Sequence, residues 1–323
     1  MERRFVVYGA GAIGGTIGGR LFEHGHDVVL VARGAHGEAC RARGLLLRRA
    51  DGEVTLAVPT VLHPSELTVD PAVDVVVLAM KTQDTADALD ALAAVAPPTT
   101  PIVCAQNGVE NERLALRRFA HVHGMCVMLP ATHLEPGVVE VSSTPVAGIL
   151  DVGRYPTGLD STTEAVAAAI DSSGFSSHAV DDVMRRKYAK LLMNLGNALD
   201  AACGPGARRS PLFAKAREEA MACFAAAGID VASEEEDRAR RGDLLTVKPI
   251  AGKPRGGGST WQSLARGTGR TEVDYLNGEI VLLGRLHGVP TPVNELFRVV
   301  ANDLARSGAA PGSVDVADLE ARV

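Results

Sequence analysis

The sequence predicts an α/β protein, with a doubly wound parallel sheet in its N-terminal part and an all-helical C-terminal domain. Short runs of β-branched residues alternate with alanine-rich helical stretches in the first half, whereas the chain from about residue 182 shows long helical patterns with hardly any strand signal. Strands that are apolar along their whole length are typical of a parallel sheet covered on both faces. We therefore expect a nucleotide-binding domain at 1–180, a helical domain at 181–308 and a weakly ordered tail at 309–323.

The same patterns predict the individual elements. A first strand in "RFVVYGA" leads into a helix over 12–24, and residues 124–150 resemble extended strands and turns. An amphipathic helix is expected over 161–172. The remaining parallel strands are predicted at 27–32 ("DVVLVA"), 73–80 ("VDVVVLAM") and 100–106 ("TPIVCAQ").

Composition excludes several classes of protein. The 323 residues are 46% hydrophobic and carry a formal charge of −6, which argues against a nucleic-acid-binding surface. The charged run "SEEEDRARRGD" at 233–243 is interpreted as a solvated helix face. No uncharged apolar stretch reaches the length of a membrane span, and none precedes the first strand, so neither membrane insertion nor secretion is expected.

The five cysteines are widely spaced, odd in number and include no C-x-x-C pair. This spacing favours a reduced, cytoplasmic protein without structural disulfides, and it gives no zinc-binding pattern. The nine histidines likewise show no metal-ligand spacing, so no metal site is predicted. His133 is the one histidine that we expect near a ligand cleft.

A glycine motif, G-x-G-x-x-G, follows the first strand directly and opens the first helix. Glycines at these places allow a tight turn and let the backbone approach a pyrophosphate, while the helix N-terminus supplies amides and partial positive charge. Several parallel strands follow, which is the context that a Rossmann-type dinucleotide site requires. The candidate cofactor contacts are Gly9, Ala10, Gly11, Ala12, Ile13 and Gly14.

The end of the second strand favours NADPH over NADH. An NAD-binding chain usually places Asp or Glu there for the ribose 2′-hydroxyl, but this strand ends in "VLVARG" with Arg33. A guanidinium suits a 2′-phosphate, although a surface arginine at a strand end is the alternative. Lys81 and Gln83 follow the strand at 73–80 and Asn107 follows the next strand, so all three are expected at the ligand-binding edge of the sheet.

A polar stripe interrupts an otherwise apolar helical run in "KLLMNLGN". Lys190, Asn194 and Asn197 are spaced i, i+4 and i+7, which places them on one face of a helix. Buried ammonium and amide groups are costly unless they have partners. The stripe is therefore either a substrate site or, for the two asparagines, a structural hydrogen-bond network between helices.

These motifs, in this order, resemble the ketopantoate reductase (2-dehydropantoate 2-reductase) family over nearly the whole chain, to about residue 306. The resemblance implies NADPH-dependent reduction of a 2-oxo acid, 2-dehydropantoate to (R)-pantoate, in pantothenate and coenzyme A biosynthesis. The matching segments are "GAGAIGG" at 9–15, "MKTQ" at 80–83, "QNGVEN" at 106–111, "LEPGVVE" at 134–140, "RRKYAKLLMN" at 185–194, "STWQSLARGTGRTEVDYLNGEI" at 259–280 and "HGVPTPVN" at 287–294.

The resemblance also implies a role for each matching residue. Lys190 is implied as the proton donor to the substrate oxygen and Asn194 as a substrate ligand, with Asn107 beside the nicotinamide ribose and the substrate. Glu272 is implied to contact both the nicotinamide cofactor and the reacting hydroxyl. Lys81 and Ala131 are implied to contact the cofactor, and Ser259 the substrate carboxylate.

Two departures from the family pattern concern the substrate. The family's second asparagine is expected at the position of Ala198, whereas this chain has Asn197. The spacing between Ser259 and Glu272 is one residue longer than usual, so Ser259 and Thr260 are both candidates for the carboxylate ligand. A different 2-oxo acid or an imine is therefore the alternative substrate.

A ketone reductase must stabilise and protonate the oxygen that becomes negative on hydride addition. A protonated, correctly placed lysine does both. The presence of such a lysine favours the hypothesis of an enzyme over that of a non-catalytic NADPH-binding sensor. The partner expected is a small 2-oxo acid, and the apolar helices of the second domain are compatible with a homodimer.

Overall fold

The computed structural model describes residues 3–250, 252–253 and 255–323. The chain divides into two compact units. The first contains residues 1–187 together with 235–255, and the second contains 188–234 together with 256–323. This division differs from the boundary expected near residue 180, because the chain returns to the first unit for 235–255 after entering the second.

The first unit is built on a seven-stranded sheet with the order β12-β8-β7-β6-β1-β2-β5. Neighbouring strands are parallel except β12 and β8, which are antiparallel. The strands are β1 (Arg4–Tyr8), β2 (Asp27–Val31), β5 (Thr60–Val61), β6 (Asp74–Leu78), β7 (Ile102–Cys104), β8 (Val122–Met128) and β12 (Ile149–Arg154).

Helices cover both faces of this sheet, which confirms the doubly wound α/β fold. Successive residues of a strand point to opposite faces, and Val7 and Val77 accordingly lie in one apolar cluster while Val6 and Val76 lie in another. The first five α-helices of the chain, all in the first unit, are α1 (Ala12–Glu23), α2 (Gly34–Arg43), α3 (Thr85–Ala93), α4 (Asn111–Leu116) and α5 (Ser161–Asp171). Helices α1 and α5 contribute to the first cluster, and α3 and α4 to the second.

Two smaller sheets complete the first unit. One has the order β4-β3-β10-β9 and the other pairs β11 with β13. They confirm the extended segments expected within 124–150. Their strands are β3 (Leu45–Arg49), β4 (Gly52–Leu56), β9 (Ala131–Thr132), β10 (Val138–Val141), β11 (Ser143–Pro145) and β13 (Leu245–Val247).

The charged run at 233–243 is more than a solvated face, so that expectation was incomplete. It forms helix α9 (Glu234–Arg241), and the side chain of Arg240 is only 8% exposed. Its guanidinium lies 2.7 Å from the carboxylate of Asp151, which is 2% exposed. A buried guanidinium needs such a carboxylate, and the charge pattern of the sequence does not reveal which arginine has one.

The remaining α-helices of the chain are α6 (Val183–Asn194), α7 (Gly196–Cys203), α8 (Pro211–Ala227), α10 (Ser259–Ala265), α11 (Asn277–His287), α12 (Pro292–Ser307) and α13 (Val316–Glu320). The second unit has its own core, which includes Leu199, Leu212 and Phe297. We expected a weakly ordered tail at 309–323, but this segment contains helix α13. Leu319 of that helix is 1% exposed and lies in the core of the second unit. Among the described residues, no helix combines the length and apolar character needed to cross a membrane.

Candidate active site and cofactor site

The glycine loop between β1 and α1 has the close backbone packing that the motif predicts. Gly9 has a φ of +99°, and a Cβ added to it would lie 2.7 Å from the amide nitrogen of Met80. A Cβ on Gly14 would overlap the carbonyl oxygen of Gly9. A Cβ on Gly11, by contrast, would meet no atom within 4 Å. The first and third glycines are thus required by packing, and the middle one leaves the backbone open at the start of α1.

Arg33 lies where the chain leaves β2, directly before α2. Its side chain is 76% exposed, and its Nη2 atom is 3.2 Å from the Oδ2 atom of Asp84. Asp84 ends a 3-10 turn, Thr82–Asp84, that follows Lys81 after β6. The structure therefore brings Arg33 close to the turn that contains Lys81 and Gln83, as expected for two strand ends at one edge of a parallel sheet.

The turn after β7 joins the turn after β6 through buried amides. The side-chain amide of Gln106 donates to the carbonyl of Met80 at 2.8 Å. The side-chain amide of Asn111 donates to the carbonyl of Asn107 at 3.1 Å, and the hydroxyl of Thr85 donates to Asn111 at 2.8 Å. These bonds fix the backbone of Asn107 beside the Lys81 turn. The Oε1 atom of Gln83 is buried and has no hydrogen-bond partner among the described residues.

Lys187 and Glu112 form a buried ion pair next to the Asn107 turn, and the sequence did not indicate it. The Nζ atom of Lys187 is 2.6 Å from Oε1 of Glu112, and the two side chains are 2% and 0% exposed. Lys187 also donates to the carbonyl of Gln106 at 2.9 Å. Burial, together with the nearby Glu112, raises the pKa of the Cys104 thiol well above its usual value. Cys104 is therefore an inert core residue.

Ala131, at the start of β9, has a cationic neighbour. Ala131 is 3% exposed, and its carbonyl oxygen lies 3.4 Å from the Nη2 atom of Arg255. Burial lowers the pKa of Arg255, and its Nε atom is buried without a hydrogen-bond partner among the described residues. Nothing in the motif spacing had singled out this arginine.

In the second unit, Lys190 and Asn194 lie side by side on α6. The Nζ atom of Lys190 donates to Oδ1 of Asn194 at 2.9 Å. Asn194 is 3% exposed, yet its Nδ2 atom has no hydrogen-bond partner among the described residues. A buried amide donor without an acceptor is costly, so the pair presents a donor that a ligand oxygen can satisfy.

Asn197 lies on the next helix and has a protein partner. Helix α6 ends at Asn194 and α7 begins at Gly196, so the stripe does not lie on one continuous helix as expected. The Oδ1 atom of Asn197 accepts a hydrogen bond from Nη2 of Arg208 at 2.9 Å. Arg208 also donates to the carbonyl of Met193 at 2.9 Å.

The junction between α6 and α7 is held by a second asparagine pair, which the sequence analysis did not assign. Asn277 and Asn294 are both 0% exposed. The amide of Asn277 donates to the carbonyl of Leu195 at 3.1 Å and to Oδ1 of Asn294 at 3.0 Å. Asn277 and Asn294 lie in the segments 259–280 and 287–294 that resemble the family. Their hydrogen bonds hold the backbone at Leu195, next to Asn194.

Burial separates the remaining candidates on the substrate side. Thr260 is 1% exposed, whereas Ser259, the first residue of α10, is half-buried. Glu272 is 3% exposed and directly precedes the 3-10 turn Val273–Tyr275. Asp274 pairs instead with Arg298 at 3.0 Å. Glu272 is thus the more deeply buried of these two carboxylates.

The described residues contain no group of three or more His, Cys, Asp or Glu side chains that could hold a metal ion. None of the five cysteines forms a disulfide bond among the described residues. His133 contacts another histidine, His36, with ring centroids 4.1 Å apart. The functional groups available are therefore amides, hydroxyls, carboxylates and cations at the strand ends and on α6.

Comparison with known proteins adds to this geometry. Residues 5–156 match the family described as "Ketopantoate reductase PanE/ApbA", and residues 182–304 match the C-terminal region of the same family. A 2-dehydropantoate 2-reductase of Pyrococcus horikoshii is 29% identical over 91% of this chain and 95% of its own length. One of Halobacterium salinarum is 28% identical over 96% of this chain and 100% of its own length.

Solved structures have the same fold. A ketopantoate reductase of this family from Ralstonia eutropha JMP134 is 28% identical, with a TM-score of 0.77 over 94% of this chain and 99% of that chain. A D-mandelate dehydrogenase solved with NADH and anilino(oxo)acetate superposes with a TM-score of 0.78 at 22% identity, over 94% of this chain and 99% of that chain. At that identity, the second likeness concerns the fold alone.

Proposed function

Because this chain belongs to the ketopantoate reductase family, we propose that it reduces 2-dehydropantoate to (R)-pantoate with NADPH, and that Lys190 donates the proton. Membership in the family makes the chain an oxidoreductase that acts on a CH–OH group. The observation that carries the proposal is the Lys190–Asn194 pair, which combines a 2.9 Å hydrogen bond with an amide donor that has no partner among the described residues.

The proposed chemistry on the substrate side follows from charge. As a ketone becomes an alkoxide, negative charge develops on its oxygen, and a nearby ammonium stabilises that charge before it transfers a proton. The bond from Lys190 to Asn194 orients the ammonium, and the N–H of Asn194, which no other described residue accepts, is suited to a substrate oxygen. Glu272 is the proposed partner of the new hydroxyl. Ser259 is the proposed ligand of the substrate carboxylate, because its half-buried side chain is more accessible to a ligand than that of Thr260, which is 1% exposed.

The cofactor residues proposed lie in the first unit. NADPH supplies the hydride when bound, and the open backbone at Gly11 fits the approach of a pyrophosphate to the start of α1. Arg33 is the proposed ligand of the 2′-phosphate. Lys81, Gln83, Asn107 and Ala131 are proposed as further cofactor contacts, and Asn107 also as a substrate contact.

A steady-state assay with NADPH and NADH against a panel of 2-oxo acids tests this function. We expect saturation by 2-dehydropantoate at micromolar concentrations and a preference for NADPH. Arg33→Ala should raise the KM for NADPH about tenfold or more, because it removes a charged hydrogen bond, and leave that for NADH within about twofold. An equal effect on both cofactors would contradict the assignment of Arg33.

A different 2-oxo acid is the second candidate substrate, and the position of Asn197 favours it. Its side-chain oxygen is already bonded to Arg208, and the usual second-asparagine position holds the buried Ala198. The substrate site proposed here therefore has one amide fewer than the family pattern. Saturation of the panel by another 2-oxo acid at lower concentration than 2-dehydropantoate would support this candidate.

A further inference from the structure

His36 joins the glycine loop to a distant turn of the first unit. It lies in the first turn of α2, three residues after Arg33. Its Nε2 atom is 2.7 Å from the carbonyl oxygen of Ala10, and its Nδ1 atom is 2.9 Å from the backbone nitrogen of Gly137. Both ring nitrogens therefore contact backbone groups, and one of these groups belongs to the glycine loop.

The two contacts together assign the protons of the ring. The backbone N–H of Gly137 can only donate, so Nδ1 of His36 accepts. The carbonyl of Ala10 can only accept, so Nε2 carries the hydrogen and donates it. His36 is thus the neutral tautomer protonated at Nε2, and its two bonds run in opposite senses.

The bond to Ala10 determines where the next amide points. The carbonyl of Ala10 and the N–H of Gly11 belong to one planar trans peptide, so they point in opposite directions. His36 holds the carbonyl, and the Gly11 N–H consequently points away from His36. A peptide next to glycine rotates easily because glycine tolerates most backbone conformations, so the bond from His36 restrains the plane of this peptide.

We propose that His36 is a positioning residue that fixes the Ala10–Gly11 peptide so that its N–H faces the pyrophosphate of the dinucleotide. The proposal rests on the cofactor site proposed above and adds a residue that the glycine motif does not contain. His36 acts through the loop backbone and touches neither the substrate nor the hydride. It is expected to affect cofactor affinity by preorganisation, while turnover at saturating cofactor stays unchanged.

Two conservative variants separate the two ring contacts. In His36→Gln, the amide nitrogen can take the place of Nε2 and donate to Ala10. In His36→Asn, the shorter amide can take the place of Nδ1 and accept from Gly137, but it does not reach Ala10. His24→Ala is the matched control, because exposed His24 bonds a backbone carbonyl, that of Arg20 at 2.8 Å, outside the glycine loop.

The measurement is the dissociation constant of NADPH, from its fluorescence, for the full-length wild type and each variant. We expect His36→Ala and His36→Asn to weaken binding about tenfold, the scale of one oriented hydrogen bond plus lost preorganisation. His36→Gln should remain within about threefold of the wild type, and His24→Ala should be unchanged. The kcat at saturating NADPH should be the same in all of them.

A second probe tests whether the effect passes through the loop. Adenosine 2′-monophosphate carries the phosphate proposed for Arg33 but no pyrophosphate, so His36→Ala should leave its binding unchanged. Equal weakening of both ligands, rescue by Asn as good as by Gln, or normal NADPH binding by His36→Ala would each overturn the proposal. A wild type that does not bind NADPH would overturn the cofactor site itself and, with it, the role of His36.

Discussion

Replacing Lys187 by methionine tests whether the buried ion pair holds the first unit together. Methionine keeps the length and the apolar stem of lysine but removes the ammonium. The variant leaves the Glu112 carboxylate, 0% exposed, without its cation, and it removes the 2.9 Å bond to the carbonyl of Gln106. Lys187 also lies on α6, the helix that contains Lys190.

The magnitude follows from the burial of both partners. Breaking a buried ion pair by removing one partner costs about 3–5 kcal/mol, because the remaining charge is neither solvated nor paired. For a unit of roughly 200 residues, each kcal/mol lowers the Tm by about 2–4 °C, so we expect a decrease of about 6–20 °C. The exposed pair of Arg41 and Glu38, with side chains 45% and 59% exposed, provides the matched control. Arg41→Met should change the free energy of unfolding by less than about 1 kcal/mol.

Chemical and thermal denaturation followed by circular dichroism measure both variants. The double variant Lys187→Met with Glu112→Leu should recover much of the lost stability, because replacing a whole buried pair by apolar groups is often neutral. If Lys187→Met costs no more than Arg41→Met, or if the double variant is less stable than the single one, the reasoning about buried charge at this site is refuted.

Two further predictions concern the glycine loop and the start of α5. Gly14→Ala should abolish measurable NADPH binding by fluorescence titration, because the added Cβ overlaps the carbonyl of Gly9 and would displace the loop; binding like that of the wild type would contradict the packing. Burial raises the pKa of Asp160, but the N–H of Thr163 and the charge of His123 outweigh it, and the pKa falls from its usual 3.8 to about 2. Because the pKa of Asp160 is lower in the folded protein than in the unfolded chain, the ionised carboxylate stabilises the fold above about pH 4. This stabilisation is lost as the pH falls toward 2. In urea denaturation, the difference in unfolding free energy between wild type and Asp160→Asn should therefore shrink from about pH 4 to about pH 2, and a constant difference would contradict the assignment.

The sheet and the polar turns at its edge were predictable because each depends on local sequence. Runs such as 73–80 are apolar at every position, and this pattern has few explanations other than a strand buried on both faces. Once the strands are parallel, their carboxyl ends must meet at one edge. Arg33 and the turn after Lys81 are accordingly adjacent in the structure, through the contact with Asp84.

The contacts that fix these groups were not predictable, because they join residues far apart in the sequence. Glu112 and Lys187 are separated by 75 positions, and His36 and Gly137 by 101. A charge or a histidine in the sequence does not indicate whether its partner lies in the core. Arg240 is an example, since its neighbours on α9 include exposed residues while its own guanidinium is buried.

The polar stripe shows the limit of periodicity. Spacing correctly placed Lys190 and Asn194 together, because four residues make about one turn of a helix. It could not show that α6 ends at Asn194, nor that Arg208 takes the side-chain oxygen of Asn197. The sequence thus predicted that Lys190 and Asn194 are neighbours, whereas the contact of Asn197 depends on tertiary structure.

The most direct test of the proposed function is the turnover of Lys190→Ala with NADPH and 2-dehydropantoate, with exposed Lys215→Ala as the matched control. If Lys190 is the proton donor, kcat should fall by about 10²- to 10⁴-fold, the range for loss of a general acid, while the dissociation constant of NADPH stays within about twofold. Lys215→Ala should keep both values. A Lys190→Ala variant with kcat within about threefold of the wild type would contradict the account.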